Sequence, residues 1–357
     1  MSDIIKIGII GTGSISNFHM IGYNAIPDKA KVVACCDLNL ERAKEWAKKY
    51  GIDQSQVYGS YDEMLAKADI DAVSVTAWNN AHAPASIAAM KAGKHVLCEK
   101  PLALNSELGL EMQKVSKETG KLLMVGFVRR FGQNVRIFNN FLNNDRIGQI
   151  NYIKTSCTRR VGNPCGWFSD KKRSGGGPLI DVGVHMIDLS RFLMGNPKPV
   201  AVSGATFNNI GTRLNIKDYP RYEPADKDDY NDVEDMAVAM IRFDNGAILQ
   251  VEVSFSQHIK NDELTLTVYG TKGGIQVEPS MEIYTEMDDY LADIKPVYAV
   301  DNDPFGNNFK NEIAHFIDCI QNGTPCQNPV EDGVAIMKIL DAVYESAKIG
   351  REVEIKW

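Results

Sequence analysis

The chain has 357 residues, a net charge of −7, 44% hydrophobic and 24% charged residues. That is enough for two domains with sizeable cores, and with no Lys/Arg tract it excludes nucleic acid or an anionic membrane as the main partner. No apolar run approaches the ~20 residues of a membrane span, no signal-peptide pattern opens the chain, and its seven cysteines include no C-x-x-C pair, so the expectation is a cytoplasmic protein without disulfides or a metal.

The first predicted element is a strand over Ile4–Ile10, too apolar for an exposed edge and read as a parallel strand covered on both faces. Gly11-Thr12-Gly13-Ser14-Ile15-Ser16 follows. Gly11 permits a tight turn, and Gly13 lets a phosphate approach the backbone. A helix starting near Ser14 then aims the amides of Ser14 and Ile15 and its positive dipole end at that phosphate. Ser16 stands where the usual fingerprint has a third glycine. The next strand, Lys31–Cys36, ends at Asp37, 24 residues past Gly13. A carboxylate there accepts the adenosine ribose hydroxyls and repels a 2′-phosphate. With no Arg until Arg42, inside the following helix, NAD is expected over NADP. Asp37 could equally cap the helix beginning near Leu40.

Strand and helix alternate onward: helix 41–50, strand 57–58, helix 61–67, strand 71–76, helix 84–92, strand 94–98, helix 106–119 and strand 122–125. This alternation predicts a doubly wound parallel sheet, assigned to a domain of residues 1–126. From there the pattern changes to strands 150–159, 200–207, 235–243, 247–255, 263–269 and 274–277. Helices are expected at 180–194, 309–322 and 331–349, and a polar surface excursion at 215–232. Residues 127–357 are thus read as an α+β domain with an open, largely antiparallel sheet.

Glu99-Lys100-Pro101 follows the fifth strand, at the end that faces the ligand crevice of an open α/β sheet. Lys100 is a candidate to reach a substrate oxygen; an ordinary exposed turn lysine would look the same. In the later helix Asp181, His185 and Asp188 stand at i, i+4 and i+7, on one face. A solvated stripe would show that spacing too. The triplet Gly175-Gly176-Gly177 ahead of it favours close approach of a ligand or backbone, and a carboxylate beside an imidazole suits a general base.

These motifs together resemble the glucose–fructose oxidoreductase/inositol dehydrogenase/rhizopine catabolism (Gfo/Idh/MocA) family over essentially the whole chain. The marks are Gly8-x-x-Gly11-x-Gly13, Glu99-Lys100-Pro101, Gly175-Gly176-Gly177-x-x-x-Asp181-x-Gly183-x-His185-x-x-Asp188 and Tyr269-Gly270-Thr271-Lys272-Gly273-Gly274. The resemblance implies an N-terminal Rossmann domain and a C-terminal domain whose open sheet often forms an oligomer interface, here a homodimer or homotetramer. It implies Lys100, Asp181 and His185 as catalytic residues, and Asn79, His82, Glu99 and Lys100 beside the cofactor. Family members commonly read Thr-Pro-Asn before a histidine; here Ala77-Trp78-Asn79-Asn80-Ala81-His82 stands instead, and Trp78 is expected to pack on the cofactor.

The expected reaction is oxidation of a secondary hydroxyl of a sugar, inositol or glycoside. His185 takes the hydroxyl proton, hydride passes to nicotinamide, Lys100 stabilises alkoxide character, and Asp181 orients His185 or binds a substrate hydroxyl. Arg129, Arg130, Trp167, Phe168 and His315 are further substrate-contact candidates; Trp167-Phe168 is an aromatic platform or core. His19, His95 and His258 default to packing or surface. Two alternatives stay open: a glycoside-cleaving enzyme using transient oxidation with retained NAD, and an NAD-binding regulator.

Overall fold

A computed structural model describes residues 4–219, 229–299 and 301–357. In chain order its elements begin β1 (Ile5–Ile10), α1 (Ser14–Asn24), β2 (Ala30–Cys36), α2 (Leu40–Tyr50), β3 (Val57–Tyr58), α3 (Tyr61–Lys67), β4 (Ala72–Val75), α4 (Asn79–Lys91), β5 (His95–Glu99), α5 (Ser106–Thr119) and β6 (Leu123–Gly126). They continue with α6 (Gln133–Asn143), β7 (Ile150–Thr158), α7 (Lys171–Ser174), α8 (Val184–Leu193), β8 (Pro199–Phe207), β9 (Met236–Phe243), β10 (Ile248–Ser254), β11 (Glu263–Gly270), β12 (Gly274–Glu278), β13 (Glu282–Met287) and β14 (Tyr290–Ile294). The chain closes with α9 (Pro304–Asn322), α10 (Val330–Ile349) and β15 (Val353–Glu354). Among the described residues no helix is long and apolar enough to cross a membrane.

The chain divides into two compact units, residues 1–132 with 301–334 and residues 133–300 with 335–357. In the first, six strands lie in the order β3-β2-β1-β4-β5-β6, and every pairing is parallel. This is the Rossmann order, with the reversal between β1 and β4 placing a crevice at their carboxyl ends. β4 is buried along its length, as a strand covered by helices on both faces must be.

The first unit thus takes in a segment from late in the chain. The cause is α9, which packs on α1. Phe309 stacks on Phe18 at 5.4 Å and Phe305 meets the same ring edge-on at 4.9 Å. Gly22 makes the close crossing possible, since a Cβ there would lie 2.7 Å from Ile313 Cβ. Beyond α9 the chain pairs with β6: Val125 N–H donates to Asn328 O at 2.9 Å, and the Asn328 amide returns a bond to Val125 O at 3.1 Å.

The second unit is a nine-stranded sheet, β14-β13-β12-β11-β7-β10-β9-β8-β15. Only the β7–β10 pair is parallel; the other pairings are antiparallel. Asp244-Asn245-Gly246 turns between β9 and β10 as expected, Gly246 supplying a φ of +85°.

Several elements depart from expectation. α6 and the β13–β14 hairpin have no counterpart among the expected elements; the hairpin turns at Asp288-Asp289, both at positive φ, rather than at an Asn-Gly pair. α4 begins at Asn79, not Pro84; burial of Ala83, Ala85, Ser86, Ala89 and Met90 holds the helix through the proline's missing bond. Of the excursion expected at 215–232, residues 220–228 lie outside the described residues.

Candidate active site

In the first unit the chain leaves β1 through two glycines held for different reasons. Gly11 has φ +95°, and a Cβ there would sit 2.7 Å from Ala77 Cα. The protein itself therefore requires glycine at this turn. Gly13 has φ −75°, ordinary for any residue, and a Cβ there would meet nothing within 4 Å. Neither conformation nor packing calls for glycine at 13, and its backbone is left open. Open backbone at a helix N-terminus fits a phosphate. Ser16 is fully buried and its hydroxyl donates to Gly13 O at 2.6 Å, so the substitute for the third glycine also ties down the turn.

Asp37 closes this half of the crevice. Its Oδ2 accepts the Thr12 amide at 2.8 Å and the Thr12 hydroxyl at 2.9 Å, and Oδ1 accepts the Asn39 amide at 2.8 Å. Burial raises its pKa, but these amides and Arg42 outweigh burial and hold it below the ordinary carboxylate value. Arg42 does reach Asp37, with Nη2 2.8 Å and 2.9 Å from the two oxygens. Arg42 was discounted from sequence because it lies in the next helix; one turn into α2 it faces back across the helix N-terminus. The cap of α2 is Asn39, whose side chain accepts Arg42 N–H at 3.1 Å, so Asp37 is not spent on that task.

α4 opens where β4 ends, which puts Asn79 and His82 in its first turn, both buried. His82 Nδ1–H donates to Pro101 O at 2.7 Å, and its Nε2 lies 3.1 Å from Ala77 O. His82 thereby ties the loop after β4 to the one after β5. Desolvation depresses its pKa. Trp78 is the residue just before the helix and is half-buried. Glu99, 5% exposed, accepts the Lys100 backbone amide at 3.2 Å through Oε2. Its Oε1 lies 2.9 Å from His19 Nε2. His19 Nδ1 is 3.2 Å from Ser74 Oγ, which bonds Tyr23 OH at 2.7 Å. His19, expected to be mere packing, is the partner that fixes Glu99 and through it the Lys100 backbone. Lys100 is half-buried and its peptide to Pro101 is cis.

In the second unit Asp181 and His185 lie on one continuous helical segment, but its start is not α-helical. Residues Leu179–Gly183 form a π-helical turn that passes into α8; such turns concentrate at functional sites. Asp181 and His185 are half-buried. Asp188, three residues after His185 within regular α8, is 1% exposed, so the stripe is buried at that end rather than solvated.

The turn is gripped by Glu234. Its carboxylate accepts the amides of Gly177 at 3.0 Å and Leu179 at 3.1 Å, and the Tyr344 hydroxyl at 2.9 Å. Burial raises the Glu234 pKa against these bonds. The glycines make room for the grip: a Cβ on Gly176 would collide with the Tyr344 hydroxyl, and one on Gly177 with Glu234 O. Nothing in the local sequence signals Glu234 or Tyr344, which lie 57 and 167 residues beyond Gly177. Trp167 and Phe168 are half-buried neighbours on a 3₁₀ turn, ring centroids 4.0 Å apart.

Residues 5–127 match a family described as "Oxidoreductase family, NAD-binding Rossmann fold", and residues 140–355 its "Oxidoreductase family, C-terminal alpha/beta domain". The chain belongs to the Gfo/Idh/MocA oxidoreductase family. It is 31% identical to a D-glucoside 3-dehydrogenase of Escherichia coli (strain K12), over 99% of this chain and 98% of the relative. It is 26% identical to a myo-inositol 2-dehydrogenase of Thermotoga maritima, over 99% of each. Among solved structures, a levoglucosan dehydrogenase in complex with NADH superposes with a TM-score of 0.86 at 25% identity, covering 99% of this chain and 100% of that one.

The chain is thus an oxidoreductase of the Gfo/Idh/MocA family with an NAD-binding Rossmann domain, and the open backbone at Gly13 beside the Asp37 carboxylate is what such a cofactor needs. Two of the further candidates serve the fold. Arg130 is 1% exposed and holds Gln327 O at 2.6 Å and Asp332 Oδ2 at 2.8 Å. His315 accepts the Gln327 amide at 2.9 Å. Arg129 stays half-buried on the 3₁₀ turn after β6.

Proposed function

We propose that this Gfo/Idh/MocA member is an NAD-dependent dehydrogenase of a secondary hydroxyl on a sugar, inositol or glycoside, working reversibly. The observation that carries the substrate class is full-length similarity to dehydrogenases of a glucoside, an anhydrosugar and an inositol. Gly11, Gly13, Ser14, Ile15 and Asp37 hold the dinucleotide, with Asn79, His82 and Glu99 shaping the loops beside it. When bound, the nicotinamide supplies the hydride acceptor. His185 takes the hydroxyl proton, and Asp181 orients it or binds a neighbouring hydroxyl. Lys100, as an ammonium, stabilises negative charge developing on the substrate oxygen. Arg129 and Trp167 contact the sugar. Residues 1–126 carry the cofactor, and residues 127–357 carry the substrate and a homodimer or homotetramer interface on the nine-stranded sheet.

The test is NADH formation, followed by absorbance, against a panel of glycosides, anhydrosugars, free sugars and inositols. Stoichiometric NADH with an intact carbon skeleton is expected. Glycoside cleavage without net NADH would replace this reading with the eliminating-glycosidase one. Tight NAD binding with no turnover across the panel would leave a regulator. Light scattering in solution tests the assembly; a monomer at micromolar concentration removes it.

A further inference from the structure

The end of α9 brings together three side chains that the dehydrogenase reading does not use. His315 and Cys319 stand four residues apart, one above the other on a helical face. Gly323 ends the helix in the left-handed region at φ +67°, and the reversal returns Cys326 to the same place. One ligand atom from each of His315, Cys319 and Cys326 lies within 4.8 Å of the other two. This is the one such His/Cys/Asp/Glu group among the described residues. Cys319 is 9% exposed, while His315 and Cys326 are half-buried.

The geometry points to a site for one thiophilic divalent cation, zinc foremost, ligated by His315 Nε2 and the sulfurs of Cys319 and Cys326, with a fourth position left to water. Zinc bonds of ~2.3 Å to sulfur and ~2.0–2.1 Å to nitrogen in a tetrahedron set an N···S edge of about 3.5 Å. His315 Nε2 and Cys319 Sγ are already 3.4 Å apart. The imidazole is also in the tautomer a metal needs. The Gln327 amide donates to Nε2, so Nε2 carries its lone pair, and a cation would take that amide's place. The displaced N–H then turns to a thiolate sulfur, a weak but suitable acceptor.

Charge is consistent with this assignment. A divalent ion with two thiolates and a neutral imidazole sums to zero, and binding releases the two thiol protons. The nearby Arg130 guanidinium is already neutralised by Asp332 at 2.8 Å. Asp318, which points its carboxylate at Asn322 and Thr324, adds negative charge beside His315. The spacing His-x3-Cys-x6-Cys escapes a search for C-x-x-C pairs because one ligand is a histidine and the third arrives through a turn.

The experiment is titration of the reduced, full-length chain with Co²⁺ under anaerobic conditions. Expected are one equivalent bound, a thiolate-to-cobalt charge-transfer band in the near ultraviolet, tetrahedral d–d bands, and displacement by one equivalent of Zn²⁺. Cys319→Ser and Cys326→Ser should each weaken the band and their combination abolish it. His315→Ala should weaken binding by at least about tenfold, since even outer partners of metal ligands are worth ~10–100-fold. Absence of the band from the unmodified chain overturns the site whatever the variants do. A band that survives in the double serine variant, with unchanged circular dichroism, assigns the metal to other cysteines and overturns it equally.

Discussion

The two glycine-rich turns look alike in sequence and do opposite work. In the Rossmann unit Gly13 faces open space: no atom lies within 4 Å of where its Cβ would be. In the sheet unit Gly176 and Gly177 face the chain's own Tyr344 and Glu234. The second pair is kept clear for a protein clamp that fixes a π-helical turn; the space at the first is left open by the chain, and we propose that the dinucleotide phosphate takes it. A glycine motif near a site therefore says that something approaches closely. Whether that something is a ligand or the protein is a question of what occupies the space.

The comparison can be broken or sharpened by substitution. The largest effects belong to the groups assigned to chemistry. Lys100→Ala and His185→Ala should each lower kcat by ~10²–10⁴-fold, the usual weight of general acid–base and electrostatic assistance, with NAD affinity measured by fluorescence titration little changed. Normal turnover in either variant removes that residue from the mechanism.

The glycines themselves come next. Gly13→Ala should raise the Kd for NAD about tenfold or more and leave the urea midpoint where it was. Gly177→Ala should instead cost about 1–3 kcal/mol of stability, the usual penalty for overpacking, and lower kcat with NAD affinity unchanged. If Gly13→Ala destabilises the fold and spares NAD, the contrast is wrong. Glu234→Ala should act in the same direction and more strongly, because two buried amides each lose an acceptor at ~1–3 kcal/mol.

Asp37→Ala should weaken NAD by about 10–100-fold, the worth of a charge-assisted hydrogen bond pair at ~1.5–3 kcal/mol. It also frees the Arg42 guanidinium to meet a 2′-phosphate, so NADP use should rise relative to NAD. An unchanged preference ratio in steady-state kinetics would remove Asp37 from cofactor choice.

The smallest effect is pH dependence of stability. Burial holds the His82 and His95 pKa values below the ordinary histidine value. On acidification the unfolded chain binds protons that the folded chain refuses, so stability is lost as pH falls from about 7 towards 5. The urea midpoint at pH 5.5 should lie below that at pH 7.5, and His82→Gln should reduce the difference.

What the sequence determined by itself is local and periodic. The parallel strands of the first unit were legible as short apolar runs between helices, and Gly11, Gly13 and Asp37 as a turn and a carboxylate at fixed spacing. Lys100, Asp181 and His185 stood out through motifs a few residues long. Only the tertiary structure decided what acts across long chain separations. It put His19 on Glu99, packed α9 back on α1, and set Glu234 and Tyr344 against the π turn. These contacts depend on how strands order and helices cross, and burial enforces them: a carboxylate or imidazole removed from water must find a partner, wherever in the chain that partner lies.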